Sequence, residues 1–125
     1  MIHQIAVTLT TAADGSATIY AGKKVTGRIL AIVFAFGDLA NTLDLTITGE
    51  TTGLEVLSYA NVPAANDTFH PRILARKHTD GAIFTDTASE PPFVFNERIK
   101  IVAAQGGNVK TGTLTFYYEA DVSAA

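Results

Sequence analysis

The segment that decides the fold class is ERIKIVAAQGGNVKTGTLTFYYE, residues 97–119. Apolar side chains alternate with other residues on both sides of its glycine pair. Ile99 and Ile101 come before the pair, and Leu114 and Phe116 come after it. A period of two is typical of a β-strand with one buried face. The segment therefore predicts two strands that bury these four side chains in one core.

The glycine pair predicts a tight turn between the two strands. Residues 106–108, Gly-Gly-Asn, accept the positive φ angles that short hairpin turns require. We therefore expect the strands to pair with each other as an antiparallel hairpin. A shift of one residue would set the apolar residues of one arm against threonines of the other, so the pattern also predicts the register. Gly112 is then expected to face the core opposite Ile101 or Ala103.

The rest of the chain repeats this alternation between turn signals. Further strands are expected at residues 5–10, 17–20, 27–36, 43–48, 54–59, 69–76, 82–85 and 93–95. A single domain of about eight to ten short strands without a substantial helix is typical of an all-β antiparallel sandwich, jelly roll or small barrel. We predict an antiparallel β-sandwich of jelly-roll-like type that spans residues 1–125.

Four local features give more specific expectations. The run GRILAIVFAF, residues 27–36, is apolar on both faces and predicts a central strand covered on both sides. Pro71 cannot donate a ladder hydrogen bond, so residues 69–76 are expected to form an edge strand or a bulge. Residues 86–92 contain two prolines and are expected to form a loop. His3 is expected at the surface.

Composition excludes several classes of protein. The 125-residue chain has a formal net charge of −3, whereas a sequence-independent nucleic-acid binder carries a basic stripe. No run reaches the roughly 18 apolar residues of a membrane span, so we expect neither nucleic acid nor membrane as a partner. The absence of cysteine excludes disulfides and thiolate chemistry. The N-terminus lacks the pattern of a signal peptide, and we expect use without Sec export.

Groups that could carry chemistry are few. His70 and His78, with Asp67 and Asp80 nearby, are the candidates for a metal site, but their spacing fits no compact motif. The carboxylates close in sequence are Asp38 with Asp44 and Glu50 with Glu55, all at turns or on wet strand faces. None of the four serines follows a nucleophile-elbow pattern. We therefore expect no catalytic residue, no metal and no cofactor.

A surface for a protein partner is the remaining possibility. Charged residues make up 17% of the chain, which fits either a surface that meets another protein or a neutral, threonine-rich surface. The candidate interface residues are basic or aromatic and lie off the predicted buried faces: Arg72, Arg76, Lys77, Arg98, Lys100 and Tyr117. These could meet an acidic surface or form ordinary solvated strand faces. Tyr117, Tyr59 or Tyr20 could instead stack on sugars, although the chain has no tryptophan.

Several segments resemble a known family. They are residues 44–53 (DLTITGETTG), 61–62 (NV), 71–72 (PR), 98–100 (RIK) and 104–112 (AQGGNVKTG). In these the chain is similar to small capsid-associated proteins of tailed bacteriophages, the decoration, cement or head-stabilising proteins. The similarity spans roughly residues 27–119 and leaves residues 1–26 unassigned. It consists of structural residues and carries over no active-site residue.

The resemblance implies a function. It implies a β-sandwich that is made in the host cytoplasm, binds the major capsid protein on the outside of the head and acts as a homotrimer. The competing classes are a carbohydrate- or receptor-binding sandwich of a phage particle and a small β-barrel enzyme. The missing tryptophan and the lack of a reactive cluster rank the virion structural protein first, as a non-enzymatic protein of the capsid surface.

Overall fold

The computed structural model describes residues 1–74, 76, 78–82 and 89–120, which form eleven strands and no helix. The strands are β1 (Ile2–Thr10), β2 (Ala17–Tyr20), β3 (Val25–Ala35), β4 (Leu43–Gly49), β5 (Glu55–Val62), β6 (Asp67–Phe69), β7 (Ile73–Leu74), β8 (Ser89–Glu90), β9 (Phe93–Glu97), β10 (Ile99–Ala104) and β11 (Thr111–Glu119). Within these ranges the chain contains no helix long and apolar enough to cross a membrane. The predicted all-β class is confirmed.

Two antiparallel sheets form a β-sandwich of jelly-roll-like type. The five-stranded sheet has the order β1-β11-β3, and the far side of β3 is shared by β9 and β6. The four-stranded sheet has the order β2-β10-β4-β5. Among the described residues, strands β7 and β8 pair with each other and with no other strand. On one side of the sandwich the edge strands are therefore β1 and β2, and on the other side they are β5, β6 and β9.

The core lies between the inner faces of the two sheets. The five-stranded sheet contributes Ile32, Phe34, Leu114 and Phe116, and the four-stranded sheet contributes Leu45, Ile47, Ile99 and Ile101, each at most 1% exposed. The four side chains that the deciding segment was expected to bury are among them. Strand periodicity therefore predicted the buried faces of β10 and β11 correctly.

The pairing of β10 and β11 was predicted incorrectly. They do not form a hairpin, because β10 lies between β2 and β4 and β11 lies between β1 and β3 in the opposite sheet. The glycine turn crosses from one sheet to the other. The Gly106 N–H donates to the Gly15 carbonyl at 2.9 Å, and the Thr11 hydroxyl donates to the Gly107 carbonyl at 2.7 Å. These bonds to the 11–16 loop hold the crossing in place.

The neighbours of Gly112 also differ from the expectation. Gly112 is buried, as predicted, but it pairs with Leu9, and a Cβ added to it would contact Leu39 rather than Ile101 or Ala103. The carbonyl oxygens of Ala35 and Phe36 would lie 3.0 Å from that Cβ.

We expect Gly112→Val to destabilise the protein by about 1–3 kcal/mol, because the backbone of residues 35–36 cannot move aside as a side chain can. Urea unfolding measures the loss. The double variant Gly112→Val, Leu39→Ala is expected to recover only part of it. An unchanged midpoint for the single variant would contradict this packing.

Strand β3 is central, as predicted, but it is not covered on both sides. Its inward-facing residues change parity between Ile29 and Ile32, where Tyr118 pairs with Ile29 and Tyr117 pairs with Ala31. Leu30 is the extra residue of this β-bulge. Because the buried positions shift by one residue at the bulge, apolar residues occupy both parities of the sequence. The outer face is nevertheless open to solvent, and Val33 on it is 38% exposed.

The region between β6 and β9 departs most from the predicted strands. No continuous strand covers residues 69–76, because β6 ends at Phe69, before Pro71, and β7 has only two residues. Ser89 and Glu90, expected in a loop, form β8. The predicted strand at 82–85 lies almost entirely outside the described residues. His3 is half-buried and stacks on Tyr118 with ring centroids 5.4 Å apart, so it is not a free surface residue.

Candidate binding groove

An open groove of about 680 Å³ follows the side of the sandwich at which β5 and β9 are edge strands. We call it the edge groove. Its apolar part consists of Leu54, Ile73, Leu74, Phe93 and Phe95, and its charged part consists of Glu55, Arg72, Arg76 and Glu90. The residues come from three separate stretches of chain, 54–55, 72–76 and 90–95, which together build one surface.

The apolar part is unusually exposed for such large side chains. Phe95 is 54% exposed, Leu54 is 48%, Ile73 is 42% and Leu74 is 41%. Phe93 packs against Phe95 with ring centroids 4.5 Å apart, which fixes the position of the exposed ring. Single exposed apolar residues are ordinary, but a contiguous group rimmed by charges marks a site of interaction.

The two arginines at the rim are held by backbone carbonyls. The Arg72 guanidinium donates from Nη1 to the carbonyl of Pro71 at 2.7 Å, and Arg76 donates from Nη1 to that of Gly81 at 3.1 Å. Among the described residues, no carboxylate forms an ion pair with either guanidinium. In these contacts each guanidinium donates only from Nη1, and Glu55 and Glu90 add carboxylates to the same groove.

A buried carboxylate supports one end of the groove. Glu97 is 2% exposed, and its Oε1 accepts the backbone N–H groups of Thr51 at 2.7 Å and Thr52 at 2.8 Å. Its Oε2 accepts the Thr52 hydroxyl at 2.8 Å, and Gly49 leaves the space for the carboxylate. These bonds fix the turn that leads directly into Leu54.

The pKa of Glu97 reflects two opposing effects. Burial by itself raises the pKa of this carboxyl, but the hydrogen bonds from Thr52 and Thr51 outweigh it, and the pKa lies below the ordinary value. The side chain is therefore charged at neutral pH. It lies where the chain passes from the five-stranded sheet to the four-stranded one, and sequence reasoning assigned it no role.

Arg98 proves to be a structural residue. Its guanidinium donates from Nε to Glu50 Oε1 at 2.8 Å and from Nη2 to Oε2, and it lies 4.5 Å above the centroid of the Tyr20 ring. The hydrogen bond with Arg98 lowers the pKa of Glu50, and the same bond raises the pKa of Arg98. This side chain is therefore engaged in an ion pair within the chain.

Lys100 and Tyr117 do not form one surface with the arginines of the groove. Lys100 is half-buried on the outer face of the four-stranded sheet, and Tyr117 is half-buried on the outer face of the five-stranded sheet. The two outer faces lie on opposite sides of the sandwich. Lys77 lies outside the described residues. Of the five candidates that the structure describes, Arg72 and Arg76 lie at the groove.

The candidates for chemistry have other positions or partners. Over the described ranges, no three His, Asp or Glu side chains are close enough to bind a metal together, and His70 and His78 are exposed. The Asp38 carboxylate accepts the Thr111 N–H at 2.7 Å, and that of Asp44 accepts the Asn61 N–H at 2.9 Å. These carboxylates stabilise connections between strands.

The tyrosines do not form a sugar-stacking platform among the described residues. Tyr59 is half-buried and packs against Phe69 with ring centroids 5.4 Å apart. The ring of Tyr20 is covered by Arg98. The apolar part of the edge groove was missed because alternation placed Ile73 on the same face as Phe69, which is buried, and no burial was predicted for Phe95. Pro71, which ends β6, was the available signal that Ile73 leaves the core face.

Comparison with known proteins identifies no family. No protein-family model and no curated protein matches the chain. Among solved structures, a chain in the structure of infectious bursal disease virus, Gt strain, is similar at 13% sequence identity with a TM-score of 0.28. The match covers 98% of this chain and 37% of the other, so the present chain spans about a third of that length. A TM-score this low carries no argument about fold or function.

Proposed function

We propose that this protein is a non-enzymatic virion structural protein that binds the outside of a phage capsid and stabilises the head. The edge groove is the observation that carries the proposal, because four large apolar side chains are exposed together in it. The resemblance of residues 27–119 to phage decoration and cement proteins indicates the partner, the major capsid protein.

The mixed character of the groove suits a contact with a folded protein. Burying its apolar side chains supplies the favourable free energy, at roughly 25 cal/mol per Å² of apolar surface removed from water. Arg72, Arg76, Glu55 and Glu90 line the same groove and can fix the orientation of the partner through charge-assisted hydrogen bonds. Because the apolar contact is not screened, salt should weaken binding only in part.

The stabilising effect needs no reaction. A standard protein interface buries on the order of 1,600 Å², and a protein that touches several capsid subunits at once gains from effective concentration. Many such clamps over one shell would raise the temperature at which the head opens. Head stability is therefore the functional readout of the proposal.

We expect Phe95→Ser to weaken binding to capsids at least tenfold, which is a loss of at least about 1.4 kcal/mol in binding free energy. Co-sedimentation with heads that lack this protein measures the affinity. Val33→Ser is the matched control, because Val33 is also a large exposed apolar residue but lies on the outer face of the five-stranded sheet. Equal affinity of both variants and the unaltered protein would exclude the groove as the contact.

The function itself is tested by heating heads with and without the protein. We expect heads that lack it to release DNA at a lower temperature, and the purified protein to restore the difference when it is added back. Release at the same temperature, together with no rebinding of the purified protein, would show that the head-stabilising function is wrong.

A further inference from the structure

Strand β1 is an edge strand with features that edge strands of soluble proteins usually avoid. It pairs with β11 over nine consecutive residues, Ile2 to Thr10, without a register shift. Its sequence, IHQIAVTLT, contains no Lys, Arg, Asp, Glu, Pro or Gly. No described strand lies on its other side. An edge strand presents a row of unpaired N–H and C=O groups, and a long, regular, uncharged one is a template for another strand.

The other edge strands of the sandwich are protected. Strand β2 has four residues and β6 has three, with Asp67 at its start. Strand β5 begins at Glu55 and pairs with β4 through two register shifts. Strand β9 ends at Asn96 and Glu97, and Asn96 has a φ of 51°. Short length, charge and irregular backbone are the usual means of preventing edge pairing, and β1 has none of them.

We propose that β1 pairs antiparallel with β1 of a second copy of this chain, which joins the two five-stranded sheets into one continuous sheet. The occupant is a second copy because the strand is complementary to itself. The register that aligns all nine residues sets Ala6 opposite Ala6 of the other copy and Gln4 opposite Thr8. Its inward-facing side sets Ile5, which is half-buried, opposite Val7. No charged side chain faces another in this arrangement.

The proposed pair has a definite size and symmetry. Nine residues span about 30 Å of strand at about 3.3 Å per residue. A two-fold axis passes midway between the two Ala6 residues, so the contact is isologous and closes at two copies. This inference does not depend on capsid binding, because the edge groove lies on the opposite side of the sandwich from β1. Both contacts can therefore form together.

Disulfide cross-linking tests the pairing. The chain has no cysteine, so a single one can be introduced without competing thiols. Facing residues in an antiparallel pair have Cα atoms about 4.5–5.5 Å apart, which a disulfide can bridge. Ala6→Cys is expected to form a covalent dimer at least about tenfold faster than Ala35→Cys, because pairing raises the effective concentration of the thiols. Ala35 is the control, since it is exposed on β3 inside the same sheet.

The register is tested by mixing two variants. Gln4→Cys mixed with Thr8→Cys is expected to give the mixed disulfide faster than either variant alone gives its own. Equal cross-linking rates for Ala6→Cys and Ala35→Cys would overturn the proposal. If Ala6→Cys cross-links rapidly but Gln4→Cys and Thr8→Cys show no preference for the mixed disulfide, the register that aligns all nine residues is wrong.

Sedimentation equilibrium provides a test without cross-links. We expect the unaltered protein to show a concentration-dependent dimer, Ala6→Lys to be a monomer, and an equal mixture of Ala6→Lys with Ala6→Glu to dimerise again. Ala6 is exposed, so these substitutions leave the core unchanged. An unaltered protein that stays a monomer at every concentration, or that forms the closed trimer implied by the resemblance, would contradict the two-fold pair.

Discussion

Replacing Glu97 with alanine is expected to lower the free energy of unfolding by about 2–4 kcal/mol, because three hydrogen-bond donors would lose their acceptor. A fully buried donor that is left without an acceptor costs about 1–3 kcal/mol. The donors are two backbone N–H groups and one hydroxyl of Thr51 and Thr52. These residues are partly reached by water, which keeps the expected sum below the fully buried value. Urea unfolding measures the loss.

Glu97→Gln is the control that separates charge from shape. Its amide oxygen can still accept the two backbone N–H groups, so we expect a smaller loss of stability at neutral pH. The stability of the unaltered protein and that of Glu97→Gln should also differ in their dependence on acid pH. Because the pKa of Glu97 is lower in the folded protein than in the unfolded chain, its stabilisation is complete above about pH 4.5 and is lost as the pH falls through the folded-state pKa.

The stability of the unaltered protein should therefore fall below about pH 4.5, with a further contribution from Glu50, whose pKa Arg98 lowers. Glu97→Gln should show a shallower fall over the same range, because its own side chain no longer takes up a proton. Parallel pH profiles for the two proteins would contradict the assignment of a stabilising charge to Glu97. A stability of Glu97→Ala equal to that of the unaltered protein would contradict the hydrogen bonds themselves.

Gly27→Ala is expected to cost about 3 kcal/mol or more, because it combines backbone strain with a collision between strands. Gly27 lies within β3 at a φ of 149°, a conformation that residues with a side chain rarely adopt. A Cβ at this position would meet the carbonyl oxygen of Glu119 in the neighbouring strand β11. The collision could be relieved only if β3 and β11, the two central strands of the sheet, moved apart.

Gly53→Ala is the matched control for this substitution. Gly53 also has a positive φ, of 73°, but nothing lies within 4 Å of a Cβ added there. We expect it to lose only about 1 kcal/mol, the cost of the left-handed conformation for alanine. The difference between the two variants in thermal and urea unfolding therefore reports the collision together with the additional strain of the φ of 149° at Gly27. Equal losses for the two variants would contradict the expected collision with Glu119.

Alternation in the sequence was enough to predict the class of the fold and the buried faces of β4, β10 and β11. Alternation identified Leu45, Ile47, Ile99, Leu114 and Phe116 as core residues, because burying apolar surface requires every second side chain of a half-buried strand to be apolar. It also identified Arg72 and Arg76 as exposed. These are local properties, which each strand shows without knowledge of its neighbours.

The pairing of the strands and the surfaces that they form together depend on the three-dimensional arrangement of the chain. An alternating strand buries the same face whether its partner is the next strand in the chain or a distant one, so periodicity could not show that β10 and β11 lie in opposite sheets. The edge groove depends on this arrangement, because it combines Leu54, Ile73 and Phe95 from three separate segments. The role of Glu97 depends on it as well, since its hydrogen-bond partners lie more than 40 residues away along the chain.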